Sequence, residues 1–225
     1  VSTLNSVPAP SSRARRTRAL LRHAGILPVV TVDSAEQGVA IGRALLEGGL
    51  GAIEVTLRSP AAMDAIAAIA QALPALSTGA GTIRNAAQAR EAVARGASFL
   101  VTPATPPALA RELAAMEVLV VPGVATPSEA CALYELGFDA LKLFPATSVG
   151  GAGLLRSMAA PLPEIAFCPT GGITEASAAD FLRLPNVLCI GGSWMVAPDW
   201  IAQGRYDLVR ESAARARAIL DALPR

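Results

Sequence analysis

Short apolar, β-branched segments alternate with Ala-rich helical segments along the whole chain, the pattern of βαβ units built on a parallel sheet. Eight strand candidates can be counted, at 26–32, 52–57, 76–80, 98–102, 118–122, 140–144, 165–169 and 187–190. Helical punctuation separates them. Asp33 and Glu36 have cap and third-position spacing, Thr126 and Glu129 repeat it with Pro127 in the first turn, and Ser59-Pro60 and Thr105-Pro106 open two further helices. Gly48, Gly96 and Gly137 stand where helices should end. Over 60–73 the side chains of Met63, Ile66, Ile69 and Leu73 form one stripe, which marks them as core.

Eight strand-plus-helix repeats in 225 residues predict an α/β fold, a closed (β/α)8 TIM barrel with a short N-terminal helix. The expected organisation is a single domain over 1–225, with 1–11 as a flexible tail. A doubly wound open sheet is the rival, but no Gly-x-Gly-x-x-Gly fingerprint follows the first strand. A hydrophobic fraction of 52% with only 4% aromatic residues suits a buried parallel sheet wrapped in small-residue helices.

Composition also excludes several function classes. A net charge of +1 provides no long-range field for polyanions, and the basic stretch from Arg205 to Arg217 is interrupted by Asp207 and Glu211, so no nucleic-acid partner is expected. Charges, Gly or Pro interrupt every apolar segment before the roughly 18 residues a membrane span needs, so no membrane partner is expected either. Cys131, Cys168 and Cys189 follow neither a metal-ligand nor a disulfide spacing, which fits a reducing, cytoplasmic setting. No His, Cys and carboxylate cluster points to a metal, and no cofactor is expected. The Arg-rich start has no acid before Asp33 and superficially resembles a transit peptide; a helix closing one barrel end through Leu20, Leu21 and Ile26 is the preferred reading. His23, the sole histidine, precedes the first strand and is read as incidental.

Barrel chemistry gathers at the C-terminal ends of the strands, and one residue there is singular. Of 19 basic side chains only Lys142 is a lysine, inside the apolar run from Phe138 to Pro145. Arginine keeps its proton under ordinary conditions, whereas a desolvated lysine can lose it and attack a carbonyl. A chance leftover at a strand edge is the alternative. The period of two sends Lys142 and Phe144 to one face, and in strand two it sends Glu54, Thr56 and Arg58 inward while Ile53, Val55 and Leu57 meet the helices. Inward charges are costly unless paired or working. A Glu54–Arg58 ion pair would satisfy two of them. Lys142 is expected to be partly neutral beside the permanent cation Arg58, and a Lys142–Glu54 bridge is disfavoured because two buried cations would share one anion.

Glycines mark the remaining strand ends. Gly79-Ala80-Gly81-Thr82 follows strand three, where a ligand can approach the backbone and the Thr82 hydroxyl can donate to a carboxylate. Thr170-Gly171-Gly172 follows strand seven and Gly191-Gly192-Ser193 follows strand eight, the usual phosphate cradle of this fold.

With these segments the chain resembles the bacterial 2-keto-3-deoxy-6-phosphogluconate (KDPG) aldolase family, which includes 4-hydroxy-2-oxoglutarate (KHG) aldolases. The resemblance runs from about Leu27 to Tyr206 and rests on Ile53–Arg58, Gly79–Thr82, Lys142–Ala146, Phe167–Ile173 and Cys189–Trp194 taken together. It implies a homotrimeric, metal-independent class I aldolase of carbohydrate metabolism that cleaves a phosphorylated keto acid to pyruvate and glyceraldehyde 3-phosphate. Lys142 then falls on the Schiff-base lysine and Glu54 on the proton-shuttling carboxylate. Arg58 and Thr82 fall on contacts to the pyruvate carboxylate, Phe144 on a ring beside the lysine, and Pro103 on a wall against the pyruvyl carbon. Thr170 matches a hydroxyl contact to substrate, and Gly171, Gly172 and Ser193 match the phosphate cradle. KHG or the galactonate epimer of KDPG are alternative substrates. A non-catalytic phosphosugar-binding barrel would use only the late loops and leaves the inward Lys142 and Glu54 without a role.

Overall fold

Parallel pairing carries the chain round a closed barrel in the computed structural model, which describes residues 11–223. The strands are β1 (Ile26–Val30), β2 (Ala52–Thr56), β3 (Ser77–Gly81), β4 (Phe99–Val101), β5 (Leu119–Val121), β6 (Gly123–Val124), β7 (Ala140–Leu143), β8 (Ala166–Phe167) and β9 (Ile190–Gly192). One sheet runs β5-β4-β3-β2-β1-β9 and a second runs β6-β7-β8. Two joints unite them. β5 and β6 are consecutive parts of one stave, interrupted at Pro122, which has no N–H for a ladder; its carbonyl still accepts from the Lys142 amide at 2.9 Å. On the other side, single bridges Phe167↔Val187 and Thr170↔Gly191 join β8 to the approach and end of β9. Eight staves therefore close, as the alternation predicts.

Boundaries differ where Gly and Pro interrupt the ladder. The last strand, expected at 187–190, begins at Ile190, and Val187 contributes only its bridge. The cap expected at Asp33 belongs to Ser34, whose side chain accepts from the Gln37 amide, while Gln37 Oε1 accepts from Asp33 N at 2.8 Å. At Thr126 and Glu129 the full reciprocal box is present. Ser59-Pro60 and Thr105-Pro106 precede helices but provide no side-chain cap to them.

Two cores follow from the period of two along each strand. Ile53, Val55, Leu141 and Leu143 face outward into the large cluster between sheet and helices. Leu27, Ala52, Phe99, Val101, Ala140, Cys168 and Cys189 face inward and fill the tube. Helix α1 (Ser12–Ala24) closes the N-terminal end of the tube: Leu21 and Ala24 join the interior cluster, with Leu20 packed against it. Arg18 fastens this plug, donating to the Asp139 carboxylate at 2.7 Å and to the carbonyls of Asp139 and Glu164. The expected tail at 1–11 lies outside the described residues except for Ser11, whose side chain caps α1. Among the described residues no helix is long and apolar enough to cross a membrane.

Burial decides the fate of the thiols. Cys168 and Cys189 are buried, whereas Cys131 is exposed on the helix Pro127–Glu135. Burial first, then the neighbouring Cys168 thiol and the Glu54 carboxylate, hold the Cys189 thiol well above the ordinary thiol range. A thiol-specific chromogenic reagent is thus expected to titrate Cys131 alone in the folded protein and all three cysteines after denaturation; fast labelling of Cys168 or Cys189 would contradict the closed tube.

Candidate active site

Lys142 and Glu54 both point inward, from staves on opposite sides of the tube, and their side chains meet. Lys142 Nζ lies 3.1 Å from Glu54 Oε1 and 3.5 Å from Oε2, with the two residues 4% and 1% exposed. Both charges are therefore taken out of water and compensated by each other. This overturns the expectation that the bridge is disfavoured. Its premise was a second buried cation, yet β2 ends at Thr56 and the following turn, Arg58 N to Thr56 O at 2.8 Å, carries Arg58 to the exposed rim. Among the described residues no Glu54–Arg58 ion pair forms, and Arg58 reaches the cavity it shares with Lys142 from the exposed rim. The Phe144 ring stands next to the amine, 5.3 Å from Nζ to its centroid.

Above the pair opens a cavity of about 580 Å³, lined by Arg58, Lys142, Phe144, Thr170, Gly171, Gly172 and Ser193 among others. Seven of the ten expected site residues thus share one wall-to-wall space, with Glu54 directly behind the lysine. Thr82 and Pro103 end β3 and β4 at the same C-terminal mouth but do not line this cavity. Thr82 has φ 61°, a left-handed conformation that a β-branched residue adopts only at a cost of order 1–3 kcal/mol and that recurs at functional sites. Pro103 sits in a turn held by Thr102, whose hydroxyl accepts from Gly123 N at 2.8 Å.

The late glycines form a cradle at the seam between β8 and β9. Gly171 and Gly172 have φ of 102° and 77°, and among the described residues the amides of Gly171, Gly172 and Ser193 have no backbone acceptor. Their carbonyl side is occupied instead: Thr147 N donates to Gly171 O at 3.1 Å and Ala146 N to Thr170 O at 2.8 Å. Free N–H groups with positive φ form a concave anion site. Other glycines serve the protein's own side chains rather than a ligand. A Cβ on Gly81 would lie 2.2 Å from Glu54 Oε1, one on Gly79 2.2 Å from the Phe99 ring, and one on Gly191 2.2 Å from Thr170 Oγ1. The expectation that Gly79 and Gly81 admit a ligand is corrected accordingly: they make room for the carboxylate and for the ring beneath it. Among the described residues no three His, Cys, Asp or Glu side chains come together to hold a metal ion.

A family model, KDPG and KHG aldolase, matches residues 17–212. The chain belongs to the KDPG and KHG aldolase family. A KHG/KDPG aldolase of Escherichia coli K12 is 39% identical over 191 residues, covering 85% of this chain and 90% of the relative. Among solved structures, a KDPG aldolase from Legionella pneumophila, with pyruvate captured as a covalent carbinolamine, superposes with a TM-score of 0.86 at 33% identity, covering 88% of this chain and 96% of that one. That of Zymomonas mobilis ZM4 with 3-phosphoglycerate has a TM-score of 0.82 at 37% identity, over 89% and 96%.

Sequence reasoning missed the β1 wall of the cavity, where Val29, Thr31 and Asp33 alternate inward. The signal was present in the same period of two that revealed Glu54, but Asp33 also fitted a helix cap. The closing helix Pro198–Ala202, which adds Ile201 and Ala202 to the lining, was missed as well.

The Gly81 contact yields a direct test. Gly81→Ala is expected to retain the circular dichroism of the barrel while lowering aldol cleavage on the order of 100-fold, the scale of effect when a reacting group is displaced by about 1 Å. Wild-type turnover in this variant would show that the position of the Glu54 carboxylate is immaterial.

Proposed function

We propose that the chain is a class I aldolase cleaving 2-dehydro-3-deoxy-6-phosphogluconate to pyruvate and glyceraldehyde 3-phosphate through a Schiff base on Lys142. The observation that carries this reading is the buried contact of 3.1 Å between Lys142 and Glu54 at the floor of a cavity that also holds an amide cradle. A binder of phosphosugars would need the cradle alone, and nothing in such a protein would repay two desolvated charges.

The chemistry follows from these parts. With its proton passed to Glu54, the Lys142 amine adds to the C2 carbonyl, and loss of water leaves an iminium. Glu54, again a carboxylate, removes the C4 hydroxyl proton. The C3–C4 electrons flow to the iminium nitrogen, giving an enamine and releasing the aldehyde. Glu54 returns the proton to C3, and water hydrolyses the pyruvyl iminium to free Lys142. Arg58, with its planar fork, and the Thr82 hydroxyl hold the substrate carboxylate at the mouth, Phe144 packs beside the iminium, and Pro103 walls the pyruvyl methyl. Thr170 contacts a substrate hydroxyl, and Gly171, Gly172 and Ser193 bind the phosphate, whose remote binding energy aligns the scissile bond. Homotrimeric assembly and cytoplasmic residence belong to the same proposal, the first carried by the family resemblance and the second by the free thiols. Light scattering at three times the chain mass would support the trimer, and a monomer would overturn it.

Turnover tests the reading. Coupled to pyruvate reduction, cleavage of KDPG is expected to exceed that of KHG, because only a phosphorylated substrate engages the cradle. Chelators should have no effect. Lys142→Arg, which keeps the charge, should abolish cleavage, and Glu54→Gln should lower it by about 10²–10⁴-fold. Substantial turnover in Lys142→Arg would contradict the covalent route.

A further inference from the structure

β1 stands between the stave carrying Glu54 and the stave carrying the Gly192–Ser193 end of the cradle, in the order β2-β1-β9. Val29 is in register with Glu54, so Thr31, the next inward position, lies one layer nearer the mouth. Thr31 thus lines the same cavity as Lys142 and the cradle, on the wall between the Glu54 stave and Ser193.

The hydrogen bonds fix what Thr31 offers. Thr56 Oγ1 lies 3.0 Å from the Val30 carbonyl and 2.8 Å from Thr31 Oγ1. A carbonyl can only accept, so the single Thr56 proton goes to Val30, and Thr31 must be the donor to Thr56. The Thr31 hydroxyl then has no proton left, and its free lone pair faces the cavity as an acceptor. Asp33, two residues on and also in the lining, is an acceptor when ionised. This wall therefore repels phosphate and carboxylate oxygens and fits a hydroxyl donor.

We propose that Thr31 is a specificity-determining residue that accepts a hydrogen bond from the substrate C5 hydroxyl. This rests on the aldolase reading: Glu54 takes the C4 hydroxyl proton, C6 carries the phosphate, and C5 is the remaining hydroxylated carbon between them. The oxygen of Thr31 and the hydroxyl of Thr170 on the neighbouring seam then address the aldehyde half of the substrate from two sides. Thr31 takes no part in the pyruvyl half of the reaction.

The test separates the two halves. Steady-state cleavage of KDPG and exchange of the pyruvate methyl protons with D₂O are measured for the wild type, Thr31→Val and Thr31→Ser. Thr31→Val is expected to lower kcat/KM for KDPG by about 3- to 10-fold, the scale for one neutral hydrogen bond, while pyruvate exchange stays within about 2-fold of wild type. Thr31→Ser should restore cleavage. Unchanged cleavage in Thr31→Val would overturn the proposal, as would a parallel loss of exchange, which would reduce Thr31 to a prop for Thr56 and the pyruvyl site. Absence of exchange in the wild-type protein would instead overturn the aldolase reading, and this inference with it.

Discussion

The rest of the structure depends on two opposite charges held against each other inside an apolar tube. Lys142 and Glu54 lie in staves 88 residues apart in sequence, and only a closed barrel brings them together. Once buried, neither tolerates loss of the other, since an uncompensated interior charge costs about 3–5 kcal/mol. The surroundings are fitted to that pair. Phe99 and the two inner cysteines fill the tube below it, α1 plugs the far end, and Gly81 lacks the Cβ that would strike the carboxylate. In the proposed reaction the same pair is also the reactive unit, because a proton moved between its members leaves a neutral amine at the floor of the cavity.

Around this fixed centre the mouth divides by the hydrogen-bonding character of its walls. The seam between β8 and β9 is the weakest part of the sheet ladder, two single bridges instead of a continuous register, and there backbone amides remain free for an anion. The β1 wall is the reverse, acceptors without spare protons. Arg58 sets a third character at the rim. A substrate with a carboxylate, a chain of hydroxyls and a phosphate matches this sequence of walls end to end.

Much of this was legible in the residues because the barrel converts a period of two into an inside and an outside. Alternation placed Lys142 and Glu54 inward, and repeat counting predicted closure. The pairing of Lys142 with Glu54 was not legible, since it depends on where Arg58 goes, and the turn after Thr56 swings that side chain to the rim. The start of the last strand is not legible, since Val187 and Leu188 are as apolar as Ile190 and only the bridge pattern distinguishes them. The role of Gly81 is not legible either, because a missing Cβ says nothing about which neighbour needs the space. Thr31 in an apolar strand is indistinguishable in sequence from β-branched filler, and only its contact with Thr56 reveals the role of its hydroxyl.

Reduction with borohydride in the presence of pyruvate, followed by peptide mass mapping, addresses the central claim most directly. An amine at this depth that condenses with an α-oxo acid predicts a stable adduct confined to the peptide containing Lys142, formed only when pyruvate is present. Unmodified protein after reduction, or a label on the N-terminal amine alone, would contradict it.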